Sequence, residues 1–448
     1  MNNLETIHGT VKINNVDCGF TLENFMLKVE LQSGINLNIN KLGKREDLPF
    51  SMLEGNIHNQ AKIILMYFET NGYGFNFVYK HLSTENLVIP VKYYLILEDL
   101  FDGKNLSIKY INDSFEKWLG LYPVHKFENV EDKVTDLVTL SYKPCEYKEK
   151  FTLSNKEYEI HPNVSTRGNL FSFNHRVCLE VNCLNAIEVE EIFNISKLVM
   201  RMVAYSFYRS SISLGDIEIF KKKDGVSSRV GTFYFNYNEK EIEPIDLNKL
   251  NDYGFILWNK LYKIIPSLMA LLGSNEIFIL NLPERRKDRF RCSVVDIPKD
   301  AAAFEYEFNK TFPDFKTSNL TDETHISLHE KIWNIDLTKD EKSLLHATDY
   351  LFQISSLKEK AMYALNEFGE IVDGYTKNLC HEEIANLFRK ARNDVDHGNI
   401  DLNISQDTAM AFYAIKIVIM CMQLKRMDVA KDAMDEIIRP VFSFEYNK

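Results

Sequence analysis

The sequence predicts an α+β protein whose two kinds of structure are segregated along the chain. A β-rich N-terminal part, sandwich-like or barrel-like, precedes an all-α helical bundle. Three observations predict this. In the first half, short apolar–polar alternations are broken by turn pairs such as Asn71-Gly72 and Asp224-Gly225. From Lys339 onward glycine is sparse, proline is absent until Pro440, and apolar residues recur at helical spacing. With 448 residues and 45% hydrophobic content, the chain can fill two or three cores. The expected division is 1–245 β-rich, 246–335 helical and irregular connection, and 336–448 helical bundle.

Taken in order, strands are expected at 8–13 and at Leu27–Leu31, the latter turning through Ser33-Gly34 into 35–39. Asn71-Gly72 is expected to close a second hairpin between 63–68 and 75–79. Further strands are expected at 106–111, 134–142, 147–153, 170–183, and 214–222 returning through Asp224-Gly225 into 231–237. One helix interrupts them over about 187–209, where Ile192, Ile195, Leu198, Val199, Met202 and Tyr205 share a face. A helix kinked at Pro266 is expected over 247–271, and an irregular stretch with Pro283, Pro298 and Pro313 over 272–335. Helices follow at 339–352, 355–376, 381–397, 406–426 and 428–438. No repeat of 20–50 residues is present.

Composition excludes several classes. The seven cysteines are scattered without a CxxC pair, which argues against a disulfide framework or zinc finger and for a reducing compartment. The opening Met-Asn-Asn-Leu-Glu-Thr has no basic segment followed by an apolar run, so the expected location is the cytoplasm. The most apolar segment, Ala409–Leu424, is 16 residues long and carries Lys416, which suits a bundle core better than a membrane span. The net charge of −11 argues against sequence-blind coating of nucleic acid. No phosphate-cradling GxxxxGK[ST] loop, GxGxxG turn or GxSxG elbow is present. The pair His325 and His329 lacks a third ligand, so no metal or other cofactor is expected.

The stretch that carries chemistry is Arg389-Lys-Ala-Arg-Asn-Asp-Val-Asp-His-Gly398. Ile384, Leu387, Phe388, Ala391 and Val395 form an inward stripe, and Gly398 stops the helix. Arg389, Asn393 and His397 recur every four residues on a polar face, with Arg392 beside them. A guanidinium that matches phosphate oxygens, an amide and an imidazole that titrates near neutral pH thus meet at one helix end. That set suits metal-free phosphodiester cleavage. RNA supplies its own nucleophile in the 2′-OH, and the protein needs a base, an acid and a cation for the phosphorane charge. The competing reading is a surface pair between Arg392 and Asp396, with His397 capping the helix C-terminus.

Arg392-Asn393-x-x-x-His397 resembles the Arg-polar-x(3–5)-His signature of HEPN domains, helical bundles found in many prokaryotic ribonucleases. The opening His8-Gly-Thr-Val, Cys18-Gly-Phe-Thr-Leu and Val29-Glu-Leu is similar to the N-terminal domain of ApeA-type proteins, in which an Apea-like HEPN domain follows. The resemblance implies an endoribonuclease with Arg392, Asn393 and His397 catalytic. It also implies a composite site between two HEPN protomers, and an abortive-infection role against phage. On that reading transfer RNA or another selected RNA is the substrate, the chain forms a homodimer or higher oligomer, and a phage-derived trigger acts on the N-terminal domain. Products carry 2′,3′-cyclic phosphate and 5′-OH ends.

Arg389 and Lys390, together with Arg285, Arg286, Lys287, Arg289 and Arg291, are the expected RNA-backbone contacts. The bundle itself is no electrostatic magnet, since 331–448 holds 15 Lys and Arg against 19 Asp and Glu. The alternative is a non-catalytic HEPN-like bundle for assembly or nucleotide binding, joined to a ligand- or protein-binding β domain.

Overall fold

In a computed structural model the described residues are 6–13, 15–31, 51–58, 60, 62–68, 77–81, 84–99, 101–112, 115–121, 123–128, 137–142, 147–169, 172–210, 212–224, 226–235, 254–284, 286–315, 327, 330–331, 334–335, 338–341, 356–376, 379–398 and 404–442. They group into two units. One comprises Met1–Val203, Ser211–Lys249 and Leu257–Gly273; the other comprises Ala204–Ser210, Leu250–Ile256 and Ser274–Lys448.

The first unit is built on sixteen described strands. In chain order they are β1 (Ile7–Ile13), β2 (Val16–Glu23), β3 (Met26–Leu31), β4 (Met52–Ile57), β5 (Ile63–Tyr67), β6 (Phe77–His81), β7 (Thr84–Pro90), β8 (Tyr93–Leu97), β9 (Leu106–Ile111), β10 (Pro123–Glu128), β11 (Leu137–Tyr142), β12 (Glu149–Leu153), β13 (Lys156–Asn169), β14 (Ser172–Cys183), β15 (Asp216–Lys223) and β16 (Val226–Phe235). Fourteen form one antiparallel ladder in the order β12-β13-β14-β9-β15-β16-β8-β5-β4-β1-β2-β3-β7-β6, while β10 and β11 pair separately. The described strands thus include one large antiparallel sheet. The alternate residues of β1–β5, β7 and β8 bury one core that includes Val11, Phe20, Leu27, Ile64, Leu87 and Tyr94.

The opposite face of the ladder packs α2 (Val189–Ser206) up to Val203. Tyr93 and Phe193 stack at 4.6 Å, and the Tyr110 hydroxyl lies 3.2 Å from Ser196 Oγ. The helical stripe read from Ile192 to Tyr205 is buried throughout. Trp118 of α1 (Phe115–Leu119) meets Trp258 of α3 (Trp258–Leu261) edge-on at 5.7 Å, and α4 (Ile265–Gly273) packs on β12.

Two expected hairpins differ. β5 pairs with β4 and β8, and β6 pairs with β7, so the expected β5–β6 hairpin is not found among the described residues, and Asn71-Gly72 lies outside them. β3 pairs with β2 and β7; its expected partner 35–39 lies outside the described residues. The Asp224-Gly225 hairpin of β15 and β16 is formed. Of the expected helix over 247–271, residues 247–253 lie outside the described residues, 254–257 are not helical, and Trp258–Gly273 is helical through a 3-10 turn at Tyr262–Ile264, with Pro266 in the first turn of α4.

The second unit contains α5 (Asp296–Thr311), α6 (Leu357–Glu367), α7 (Gly369–Val372), α8 (His381–Asp396), α9 (Gln406–Arg426) and α10 (Lys431–Phe442). α9 is its core: every residue from Ala411 to Leu424 is buried, and α5, α8 and α10 pack around it. By length and hydropathy α9 is the one described helix apolar enough to cross a membrane. Since 78% of its apolar window is buried within the protein, it acts as a core helix. Lys416 is tolerated there because its ammonium donates to the Arg291 carbonyl at 3.0 Å and lies 3.5 Å from the Asp300 carboxylate. α5 falls in the stretch expected to be irregular: Pro298 occupies its first turn, so a proline read as a breaker starts a helix. α10 likewise runs past its expected end and through Pro440.

Candidate nucleotide-cleaving helix end

α8 is fixed at its start and along one side. The Cys380 N–H donates to Glu383 Oε2 at 2.9 Å, and this bond draws the Glu383 carboxyl below its usual range. Ile384, Ala385, Phe388 and Ala391 are buried, while Leu387 and Val395 of the expected stripe are half-buried. The Phe388 ring meets Phe304 of α5 at 5.4 Å and Phe412 of α9 at 5.2 Å, both edge-on. Those contacts fix the rotation of α8 and therefore which residues its open face presents.

The helix ends as its sequence predicts. The His397 N–H donates to the Asn393 carbonyl at 3.0 Å, and the Gly398 N–H donates to the Val395 carbonyl at 2.9 Å. Gly398 has φ +82, the left-handed conformation that glycine adopts without strain. Arg392 and Asn393 are half-buried; Arg389, Lys390 and His397 are exposed. Arg392 Nε lies 2.9 Å from Asp396 Oδ2, so the pair of the competing reading is formed. That is the nearest approach of the pair, and no other residue partners Arg392 among the described residues. Arg392 and His397 stand five residues apart, about 140° around the helix.

The basic stretch before α5 divides. Arg286–Phe290 forms a single 3-10 turn, Arg285 lies outside the described residues, and the side chains of Arg286 and Lys287 are not described. Arg289 is a correction to the expected RNA contact. It is only 5% exposed, with its guanidinium over the Phe290 ring at 4.5 Å, because the tight turn directs it inward beside Tyr413. Arg291 is exposed, 3.9 Å from Asp288. Arg291 is therefore the one side chain of this stretch that the described structure leaves open to a polyanion.

Two buried ionic groupings were not read from the sequence. In the helical unit, Glu307 accepts from the Phe278 N–H at 2.7 Å, Gln423 at 3.1 Å and Arg426 at 2.8 Å. In the sheet unit the register aligns His161, Glu180, Lys109, Glu218 and Thr232 in one row across β13, β14, β9, β15 and β16. All five are buried. Lys222 lies 2.7 Å from Glu180 Oε1, and Asn163 donates to Oε2. Burial works to raise the Glu180 pKa, but these hydrogen bonds and the Lys109 charge outweigh it and the carboxyl is held below its usual range. Alternating polar residues predict a solvent face, so only the cross-strand register could have revealed that this face is covered.

Among the described residues no three His, Cys, Asp or Glu side chains gather as metal ligands, and His325 and His329 lie outside those residues. Compared with known protein families, with curated proteins and with solved structures, the chain finds no match.

Proposed function

We propose that the helical unit is a metal-independent endoribonuclease, with His397 as acid or base, Arg392 as the phosphate-holding cation and Asn393 in support. The observation that carries this reading is the open end of α8, where a guanidinium 38% exposed and an exposed imidazole follow within five residues. The 2′-OH attacks the adjacent phosphorus, its proton passes to a base, and the departing 5′-oxygen takes a proton from an acid. One α8 supplies a single His397, so two copies facing each other would supply both proton-transfer groups and two guanidinium groups. The HEPN resemblance points the same way, and with the ApeA-like opening it suggests a growth-arresting antiphage role on a selected RNA such as transfer RNA.

Incubation of total RNA with the purified full chain in EDTA, alone and with phage-infected lysate, tests this. Discrete fragments ending in 2′,3′-cyclic phosphate are expected, lost in Arg392→Ala and in His397→Ala. Silence in both conditions, or equal cleavage by the variants, would replace the nuclease with the non-catalytic bundle.

A further inference from the structure

We infer that Asp396 is a positioning residue that orients the Arg392 guanidinium for an incoming phosphate. The inference rests on the nuclease reading and concerns the same helix end. A guanidinium presents two edges to oxyanions, one formed by Nε with one Nη and one by the two Nη nitrogens. Asp396 Oδ2 stands by the first, 2.9 Å from Nε. Apart from Asp396, Arg392 has no partner among the described residues, and its side chain remains 38% exposed. A phosphate needs two parallel N–H groups in one plane, and the second edge is what remains to offer them.

A second observation argues that this pair does not serve helix stability. Asp394 and Asp396 lie in the last turn of α8, which has no basic residue. Carboxylates there face the negative end of the helix dipole. The order cation then anion, one turn apart, is also the less favourable direction for a helical pair. Both side chains of the pair are more than a third exposed, so the ion pair adds little to folding. A carboxylate placed where the helix disfavours it, gripping the one arginine the reaction needs, is better explained by what it does to Arg392. Through a four-residue reach it also draws the guanidinium toward the end of the helix, where His397 sits.

The test compares the full chain with Asp396→Ala, Asp396→Glu, Asp394→Asn and Arg392→Ala. It reads kcat and KM on RNA, binding of a 2′-O-methyl oligoribonucleotide that cannot be cleaved, and thermal unfolding. Asp396→Ala should lower kcat by about tenfold or more with KM changed less than threefold, as expected when a held group loses its orientation. Asp396→Glu, which can still reach Nε, should recover most of the loss. Both Asp396 variants and Asp394→Asn should unfold at or above the wild-type temperature, and Asp394→Asn should cleave normally.

Wild-type kcat in Asp396→Ala, with cleavage and oligonucleotide binding still dependent on Arg392, would overturn this inference and leave the nuclease reading standing. A loss of kcat matched by a lower unfolding temperature would also overturn it, by assigning Asp396 to stability. Neither binding nor cleavage by the wild-type chain would remove both readings together.

Discussion

Asp300 is an acid in the helical unit whose ionisation the fold opposes. Burial pushes its carboxyl up to about 6, against the pull of Lys416 at 3.5 Å. A carboxyl with a folded pKa above its unfolded one carries an extra proton in the folded state between the two values. Its contribution to stability is complete below the unfolded value and is lost as pH rises through about 6. Between pH 7 and pH 5 this single group should therefore add roughly 1–2 kcal/mol as the solution is acidified. Asp300→Asn keeps the shape and removes the titration. Urea unfolding at pH 5, 6 and 7 should show the variant lacking that acid-side gain relative to wild type, and identical pH slopes would reject the assignment. The sequence gives half of this pair away, because Lys416 stands alone inside an apolar run. Its partner was hidden, since Pro298 made residues 296–311 look irregular.

At the scale of elements, α8 was legible because each of its signals is local. Its apolar spacing, its terminal glycine and its polar face all lie within eighteen residues, and the observed span His381–Asp396 follows them. Strands such as β1, β3, β9, β14 and β15 were also legible, since alternation is local too, whereas β2, β4, β7, β8, β10 and β13 were not expected. The strands' partners were not legible: the turn pair Asn71-Gly72 suggested a hairpin, but β5 pairs with β4 and β8, because cross-strand partners are chosen by contacts far apart in sequence. What positions the candidate site is likewise non-local. Phe388 holds α8 against Phe304 and Phe412, neither of which shares a sequence pattern with it. Phe388→Ala should cost about 3–5 kcal/mol, because rings on two other helices lose their common contact. Denaturant unfolding of the variant checks the magnitude. Cleavage should fall with it at temperatures where the fold survives, since rotation of α8 displaces Arg392 and His397; a loosened bundle that cleaves at the wild-type rate would show that the site does not depend on this packing.

For the whole molecule, the consequence of the two units is that neither is a continuous piece of sequence. Composition places the change from β-rich to helical near residue 245, yet Ala204–Ser210 groups with the helical unit. Tyr205, Phe207 and Tyr208 are buried, and the Tyr208 ring meets Phe442 of α10 edge-on at 4.9 Å. The Ser206 carbonyl accepts from the Ile256 N–H at 2.8 Å, and the Ser210 N–H donates to the Pro283 carbonyl at 2.9 Å. A fragment of residues 246–448 keeps the motif and loses all of these contacts. Removal of a buried aromatic side chain costs about 3–5 kcal/mol, so loss of this segment approaches the whole stability of an ordinary domain. The fragment should therefore be protease-sensitive and show no cooperative thermal transition, although every residue of α5 to α10 is present. A cooperative transition at the temperature of the full chain would mean that Ala204–Ser210 is dispensable to the helical unit. If the N-terminal part, where the trigger is expected to act, holds the proposed nuclease inactive until then, that control is consequently better tested by substitutions on the exposed surface of the sheet unit within the intact chain. There, a rise in toxicity that His397→Ala abolishes would report release of the site rather than damage to its scaffold.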